Sequence, residues 1–285
     1  MRVKSPSDRS PAAPATAAGV VLAAGSGTRF GGSVNKAYLR LGERSLVSWS
    51  LDVMARIDGI SPLVLVIRQE DRRHAEEVLD EVDAEVELVH GGSTRHHSEL
   101  LAFRHLGPRI EAGTVDSILV HDSARPLLSV DLCAAVLRAT RAHGAAVPVL
   151  EGPDLTMVRE GGDISSGPHR SRLVRTQTPQ GFEASSLLQA YETAWGQEFH
   201  ATDTAGCFAR CTDRPIHWVR GEDANFKITY AHDLLVAQRL LPVTPRTMTH
   251  AAVSGPATPD RSGRTRHRHR DRADPARPSG PAPAG

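Results

Sequence analysis

The sequence predicts an α/β fold in which a mostly parallel sheet is covered by helices on both faces. Two observations carry this expectation. Short, continuous apolar runs recur along the chain, and longer amphipathic stretches separate them. Continuous apolar strands belong to sheets buried on both faces, and strands that alternate with helices belong to parallel crossovers. A third observation concerns the strand ends. Charged or glycine-rich segments follow three of the runs, at 24–36, 90–98 and 121–126, where open parallel sheets bind ligands.

Taken in order, the first strand is "GVVLA" (19–23), which runs straight into the turn "AGSGTRFGG". A helix is expected over 45–56, followed by the strand "LVLVI" (63–67) and a helix over 71–81. The strand "VELV" (86–89) precedes a helix over 94–106, and "SILVH" (117–121) precedes one over 130–142. The strand "AAVPV" (145–149) is the last clear apolar run. Residues 150–177 show no helical period and carry Gly161, Gly162 and Gly167, so they read as a protruding arm. Helices over 184–195 and 230–240 complete a Rossmann-like domain spanning 17–241.

The flanks differ in composition. Residues 1–16 are rich in Pro, Ala and Ser and are expected to form a disordered leader. Residues 242–285 hold eight of the nineteen prolines and the run "RTRHRHRDR", and are expected to form a solvated, disordered tail. That tail has eight Arg against three Asp, so it carries +5 of a formal net charge of +1 and leaves −4 on residues 1–241. Such a body argues against wrapping nucleic acid. The three cysteines do not make a secreted disulfide scaffold. Cys207 and Cys211 lie one helical turn apart but lack a second ligand pair, so core packing is the reading preferred over metal. No apolar run is long enough for a bilayer and no signal-peptide core precedes Gly19, so a cytoplasmic location is expected.

The turn after the first strand is where chemistry first shows. A dinucleotide fingerprint needs a third glycine where this chain has Phe30, and a P-loop needs Gly-Lys-Ser/Thr where Ser33 and Val34 follow Gly32. What remains is a flexible backbone able to approach a triphosphate, with Arg29 and Lys36 to neutralise it. The chain has only three lysines, Lys4, Lys36 and Lys227, against thirty-one arginines. A lysine kept in that background marks a site where a compact point charge fits and a planar fork does not.

"LAAGSGTRFGGSVNKAYLRLG" resembles the signature loop of nucleotidyltransferases that activate sugar and polyol phosphates. "HGGSTRHHS", "LVHDSARP", "TQTPQGF", "ATDTA" and "GEDANFKITYAHDL" follow in the order expected of the 2-C-methyl-D-erythritol 4-phosphate cytidylyltransferase family, over about residues 18–241. The resemblance implies an enzyme that transfers CMP from CTP to a polyol phosphate with Mg2+ present. It assigns Arg29, Lys36 and Lys227 to the reacting phosphates, and Ala23, Ala24, Gly25, Gly27 and Ser123 to CTP. Gly91 and Gly92 let backbone groups approach a flat base and Ser98 adds a hydroxyl; the family uses this segment to read cytosine. Asp122, beside a triphosphate, reads as the Mg2+ ligand, the alternative being a helix N-cap. Arg125 and Thr178 fall on the polyol-phosphate side.

In the family the arm is exchanged between the subunits of a homodimer. The resemblance carries Thr156 and Arg170 into the neighbour's site. The chain departs from the pattern in four places: Leu155 separates Asp154 from Thr156, Val158 stands where a basic residue is usual, Asn35 replaces the proline before Lys36, and Thr204 replaces the acidic residue after Asp203. Two other readings stay open: a cytidylyltransferase for another polyol phosphate such as ribitol 5-phosphate, and a non-catalytic nucleotide-binding paralogue.

Overall fold

The computed structural model describes residues 15–25, 35–152, 173–199 and 201–241, together with the backbone at 157–158 and 164–165. Gly27, Arg29, Thr156 and Arg170 lie outside the described residues, as do most of the leader (1–14), most of the arm and all of the tail (242–285).

Strand β1 (Thr16–Leu22) leads through a 3₁₀ turn at Lys36–Tyr38 into the small hairpin β2 (Arg40–Leu41) and β3 (Arg44–Ser45). There follow α1 (Leu46–Ala55), β4 (Ile60–Ile67), α2 (Arg72–Leu79), β5 (Val86–His90), α3 (Arg95–Glu111) and β6 (Val115–Asp122). Then come α4 (Val130–His143) and β7 (Ala145–Glu151). Two-residue strands β8 (Met157–Val158) and β9 (Ile164–Ser165) pair antiparallel within the 150–177 segment. The chain returns as β10 (Val174–Thr176) and β11 (Gln180–Glu183), and finishes with α5 (Ala184–Gly196), α6 (Thr204–Cys211), β12 (His217–Arg220) and α7 (Ala231–Leu240).

The main sheet has eight strands in the order β10-β7-β11-β6-β1-β4-β5, with β12 added parallel to β7. The pairs β6–β1, β1–β4 and β4–β5 are parallel, while β10 and β11 run against their neighbours. All five strands expected from apolar runs are present. The three others, β10, β11 and β12, carry too few apolar residues in too short a span to stand out. Their places come from hydrogen bonding to β7 and β6.

Alternate strand residues point to opposite faces, and both faces are covered. Val20, Val64, Val66, Ile118 and Val120 pack with Leu100, Phe103 and Leu106 of α3, Leu187 and Tyr191 of α5, and Phe208 of α6. Their neighbours Val21, Leu63, Leu65, Ile67 and Leu119 pack with Leu51 and Met54 of α1, Val78 of α2, and Leu132 and Val136 of α4. Each apolar run is therefore consumed by two cores, which is why the sequence shows runs rather than alternation.

Helix boundaries follow local chemistry. Thr94 caps α3 by accepting from the His97 N–H at 3.0 Å, and Ser129 caps α4 by accepting from the Leu132 N–H at 3.0 Å. Gly144 ends α4 in a left-handed conformation (φ 82°) that lets β7 begin at once. Helix α3 continues past the expected end at 106 and carries Pro108 in its last turn. Helix α6 was not expected. Its signal is the Asp203 cap, whose Oδ1 accepts from the Gly206 N–H at 2.8 Å.

Candidate active site

The carboxyl ends of β1, β4, β5 and β6 open together onto a cavity of about 670 Å³. Ala23, Ala24 and Gly25 continue from β1, Gly91 and Gly92 from β5, and Asp122 and Ser123 from β6. Lys36 and Lys227 complete the same wall with Ser98. These positions, spread over 205 positions of the chain (23–227), meet because parallel strands bring all their carboxyl ends to one edge. Neither Arg125 nor Thr178 lines the cavity.

Asp122 is 6 % exposed, and both its oxygens are engaged by cations. Lys227 Nζ lies 2.7 Å from Oδ2, and the Arg95 guanidinium contacts Oδ1. Burial pushes the carboxyl up, but the charges and hydrogen bonds of Arg95 and Lys227 overturn this and hold it well below the usual carboxylate range. The group is thus an ionised hard-oxygen donor at the cavity wall. Among the described residues no three His, Cys, Asp or Glu side chains gather. Asp122 fits Mg2+ as one protein ligand beside substrate phosphates and water, the usual manner for that ion.

Lys36 follows a tightly held residue. Asn35 Nδ2 donates to the Ala23 carbonyl at 2.6 Å and to Asp71 Oδ2 at 2.7 Å, while Oδ1 accepts from the Ala37 N–H at 3.1 Å. Its backbone sits at φ −60°, the value a proline ring would impose. Asn35 therefore has the backbone a proline would give and adds three bonds. Lys36 Nζ in turn donates to the Ile228 carbonyl at 2.9 Å, tying the turn to the segment that carries Lys227.

The glycines after β5 are demanded by packing. A Cβ on Gly91 would sit 2.7 Å from Ser98 Oγ and 2.8 Å from Ala24 Cβ, and one on Gly92 would sit 2.2 Å from the His97 ring. The Ser98 hydroxyl donates to the Thr94 carbonyl at 2.8 Å and accepts from the Gly92 N–H at 3.1 Å, so it shapes the loop.

Behind the wall lies a second layer that sequence reading did not separate from the first. His121 is fully buried; its Nε2–H donates to the Arg125 carbonyl at 3.1 Å, which leaves Nδ1 to accept from the Thr178 hydroxyl at 3.0 Å. The Thr178 oxygen accepts from the Asp122 N–H at 3.0 Å. Burial pushes the His121 pKa down to about 4, so the ring is neutral at pH 7. Arg125 turns inward, donating to the Asn225 carbonyl at 2.8 Å. Gln177 clamps the next segment, its amide donating to the Glu222 carbonyl at 2.8 Å. These side chains fix Asp122 and Lys227 from behind.

Charge gathers where the sheet opens, and no histidine lines the cavity among the described residues. That arrangement suits moving a phosphorus group by positioning and charge neutralisation, and the class is nucleotidyltransferase. The family model described as "IspD: 2-C-methyl-D-erythritol 4-phosphate cytidylyltransferase" matches residues 17–242. The chain belongs to that family. It is 35 % identical over 228 residues to the 2-C-methyl-D-erythritol 4-phosphate cytidylyltransferase of a Synechococcus species, covering 78 % of this chain and 95 % of that one. It is 33 % identical to the enzyme of the same name from Cereibacter sphaeroides, covering 79 % and 97 %. Among solved structures, 4-diphosphocytidyl-2C-methyl-D-erythritol synthase from Anaerococcus prevotii superposes with a TM-score of 0.69 at 26 % identity, over 79 % of this chain and 95 % of that one. The Thermus thermophilus cytidylyltransferase gives 0.58 at 31 % identity, over 78 % and 96 %.

Proposed function

We propose that this chain transfers CMP from CTP to 2-C-methyl-D-erythritol 4-phosphate, releasing pyrophosphate in the isoprenoid-precursor pathway. One observation carries the reading: two of the chain's three lysines, far apart in sequence, converge on one cavity with an ionised aspartate. The nucleophile is a phosphate oxygen that is already ionised. Its attack forms a P–O bond to the α-phosphorus of CTP as the bond to the β-phosphate oxygen breaks. No general base is needed, and the neutral, enclosed His121 offers none.

Lys36 and Arg29 neutralise charge as it builds on the α-phosphorus, and Lys227 orients the incoming phosphate. Asp122 is the protein group that would hold Mg2+, which when bound shields the triphosphate charge. The backbone at Gly91 and Gly92 reads the cytosine edge. CTP should be turned over at least about 10²-fold faster than UTP, because a wrong base leaves buried polar groups unpaired. Pyrophosphate release with each nucleotide and a panel of polyol phosphates tests this. Equal rates with UTP would remove the cytidine assignment, and preference for ribitol 5-phosphate would move the substrate.

The reading includes a homodimer. Leu173 and Val174 at β10 and the 59 %-exposed Trp218 on β12 are large apolar side chains left in solvent, which supports a partner at this end of the sheet. Thr156 and Arg170 would then serve the neighbouring subunit. Mixing an Arg170→Ala chain with a Lys36→Ala chain should restore activity; no recovery in proven heterodimers would refute the exchange. Among the described residues no helix is long and apolar enough to cross a membrane. The cytoplasmic location in this reading is supported by three free thiols.

A further inference from the structure

Position 99 holds a carboxylate where the fold gives it no access to water. Glu99 lies on α3 and is 1 % exposed, inside the layer formed with α5 and α6. An ionised carboxylate in such a place is costly unless it is fully partnered. Here the partners are specific. The Tyr191 hydroxyl donates to Oε2 at 2.7 Å, and the Thr204 hydroxyl donates to Oε1 at 2.7 Å. Arg95 Nη2 stands 3.2 Å from Oε1.

The Arg95 guanidinium is what links this buried acid to the cavity. Its Nη1 meets Asp122, its Nη2 meets Glu99, and its buried Nε has no hydrogen-bond partner among the described residues. Two carboxylates, one on each side, therefore set its orientation. The result is a continuous row of contacts, Glu99, Arg95, Asp122 and Lys227, running from the helical layer to the cavity wall. Local helix stabilisation does not account for Glu99. The pair runs Arg-to-Glu along the helix, the weaker order for an i,i+4 contact, and it is buried rather than on the surface.

We infer that Glu99 is a positioning residue of this active site: held by the Tyr191 and Thr204 hydroxyls, it fixes Arg95 so that Arg95 fixes Asp122. The Thr204 oxygen touches the Glu99 carboxylate, so an acidic side chain from either position reaches the same space. The inference rests on the cytidylyltransferase reading for its kinetic effect, but the placement of Arg95 is independent of it.

The test uses the full chain with Glu99→Gln, Glu99→Val, and Glu99→Val combined with Thr204→Glu. The double change conserves the number of side-chain heavy atoms across the pair, so the core is not overfilled. Glu99→Gln and Glu99→Val should each lower kcat about 10- to 100-fold while CTP still binds at one per chain by calorimetry, a split that simple loss of folded protein would not give. The double variant should recover most of the turnover. Crystal structures should show Arg95 moved off Asp122 in Glu99→Val and returned in the double variant. If Glu99→Val does not fold, Glu99→Gln, which keeps shape and hydroxyl contacts, decides the question. Unchanged kcat in Glu99→Gln, or a folded double variant that stays slow, overturns the inference. Should wild-type protein release no pyrophosphate from CTP with any polyol phosphate, the functional reading fails by itself. The position of Arg95 in the variants then decides the inference alone: Arg95 still on Asp122 refutes it.

Discussion

Replacing Asn35 with Ala should destabilise the protein by about 3–4 kcal/mol. The residue is 4 % exposed and makes three side-chain hydrogen bonds, two donated and one accepted. A neutral bond contributes about 0.5–1 kcal/mol net, and one to an ionised group about 2 kcal/mol, so the bond to Asp71 is the largest part. For a domain of this size that corresponds to about 6–16 °C in Tm. Burial raises the Asp71 carboxyl, but hydrogen bonds from Arg68 and Asn35 outweigh it and hold the pKa below the ordinary value. A depressed carboxylate stabilises the fold above its unfolded pKa and loses that contribution as pH falls through the folded value. The gap between wild type and Asn35→Ala should accordingly be full at pH 7 and narrow below about pH 4. Urea unfolding followed by tryptophan fluorescence at several pH values measures both effects. Asn35→Pro keeps the observed φ and stiffens the unfolded chain, so it should recover about 0.5–1 kcal/mol relative to Ala. A loss below about 1 kcal/mol in Asn35→Ala, or a gap that does not change with pH, would refute the account of this turn.

Lys36→Ala should lower kcat about 10²–10³-fold with a much smaller change in CTP affinity, and Lys36→Arg should also be poor because a fork does not fit a point-charge site. Near-normal steady-state turnover in either variant would remove that role. Burial pushes the Cys133 and Cys207 thiols up to about 12, and both are fully enclosed, whereas Cys211 is partly exposed. Native protein at pH 8 should therefore consume one equivalent of a thiol reagent quickly and the other two only after unfolding; three fast equivalents would contradict the packing. A chain trimmed to residues 17–241 should keep its specific activity in the pyrophosphate assay, and loss of turnover in a folded trimmed protein would move the boundary.

Much of the fold was legible because each central strand is buried on both faces and therefore reads as an unbroken apolar run. "GVVLA", "LVLVI" and "SILVH" needed no partner to be recognised. Strands β10, β11 and β12 were not legible, since only pairing with β6 and β7 makes them strands. The site divides the same way. Lys36, Asp122 and Lys227 stood out by residue type and spacing, because phosphate chemistry needs charge at strand ends. Which polar groups face the cavity was decided by packing alone. Arg125 and Thr178 carry chemistry-bearing side chains, yet hydrogen bonds to carbonyls, His121 and the Asp122 backbone direct them into the layer behind.

By itself the sequence determined the α/β class, the order of the central elements and the family, because hydrophobic period and motif spacing are local properties of the chain. Tertiary structure alone decided that Glu99, unremarkable on a helix, lies against Tyr191, Thr204 and Arg95. It also decided that Asn35 is held at the φ of a proline by bonding to Ala23 and Asp71. Those partners are 4 to 105 positions away in the chain, and a buried polar group acquires its meaning only from the groups that folding places beside it.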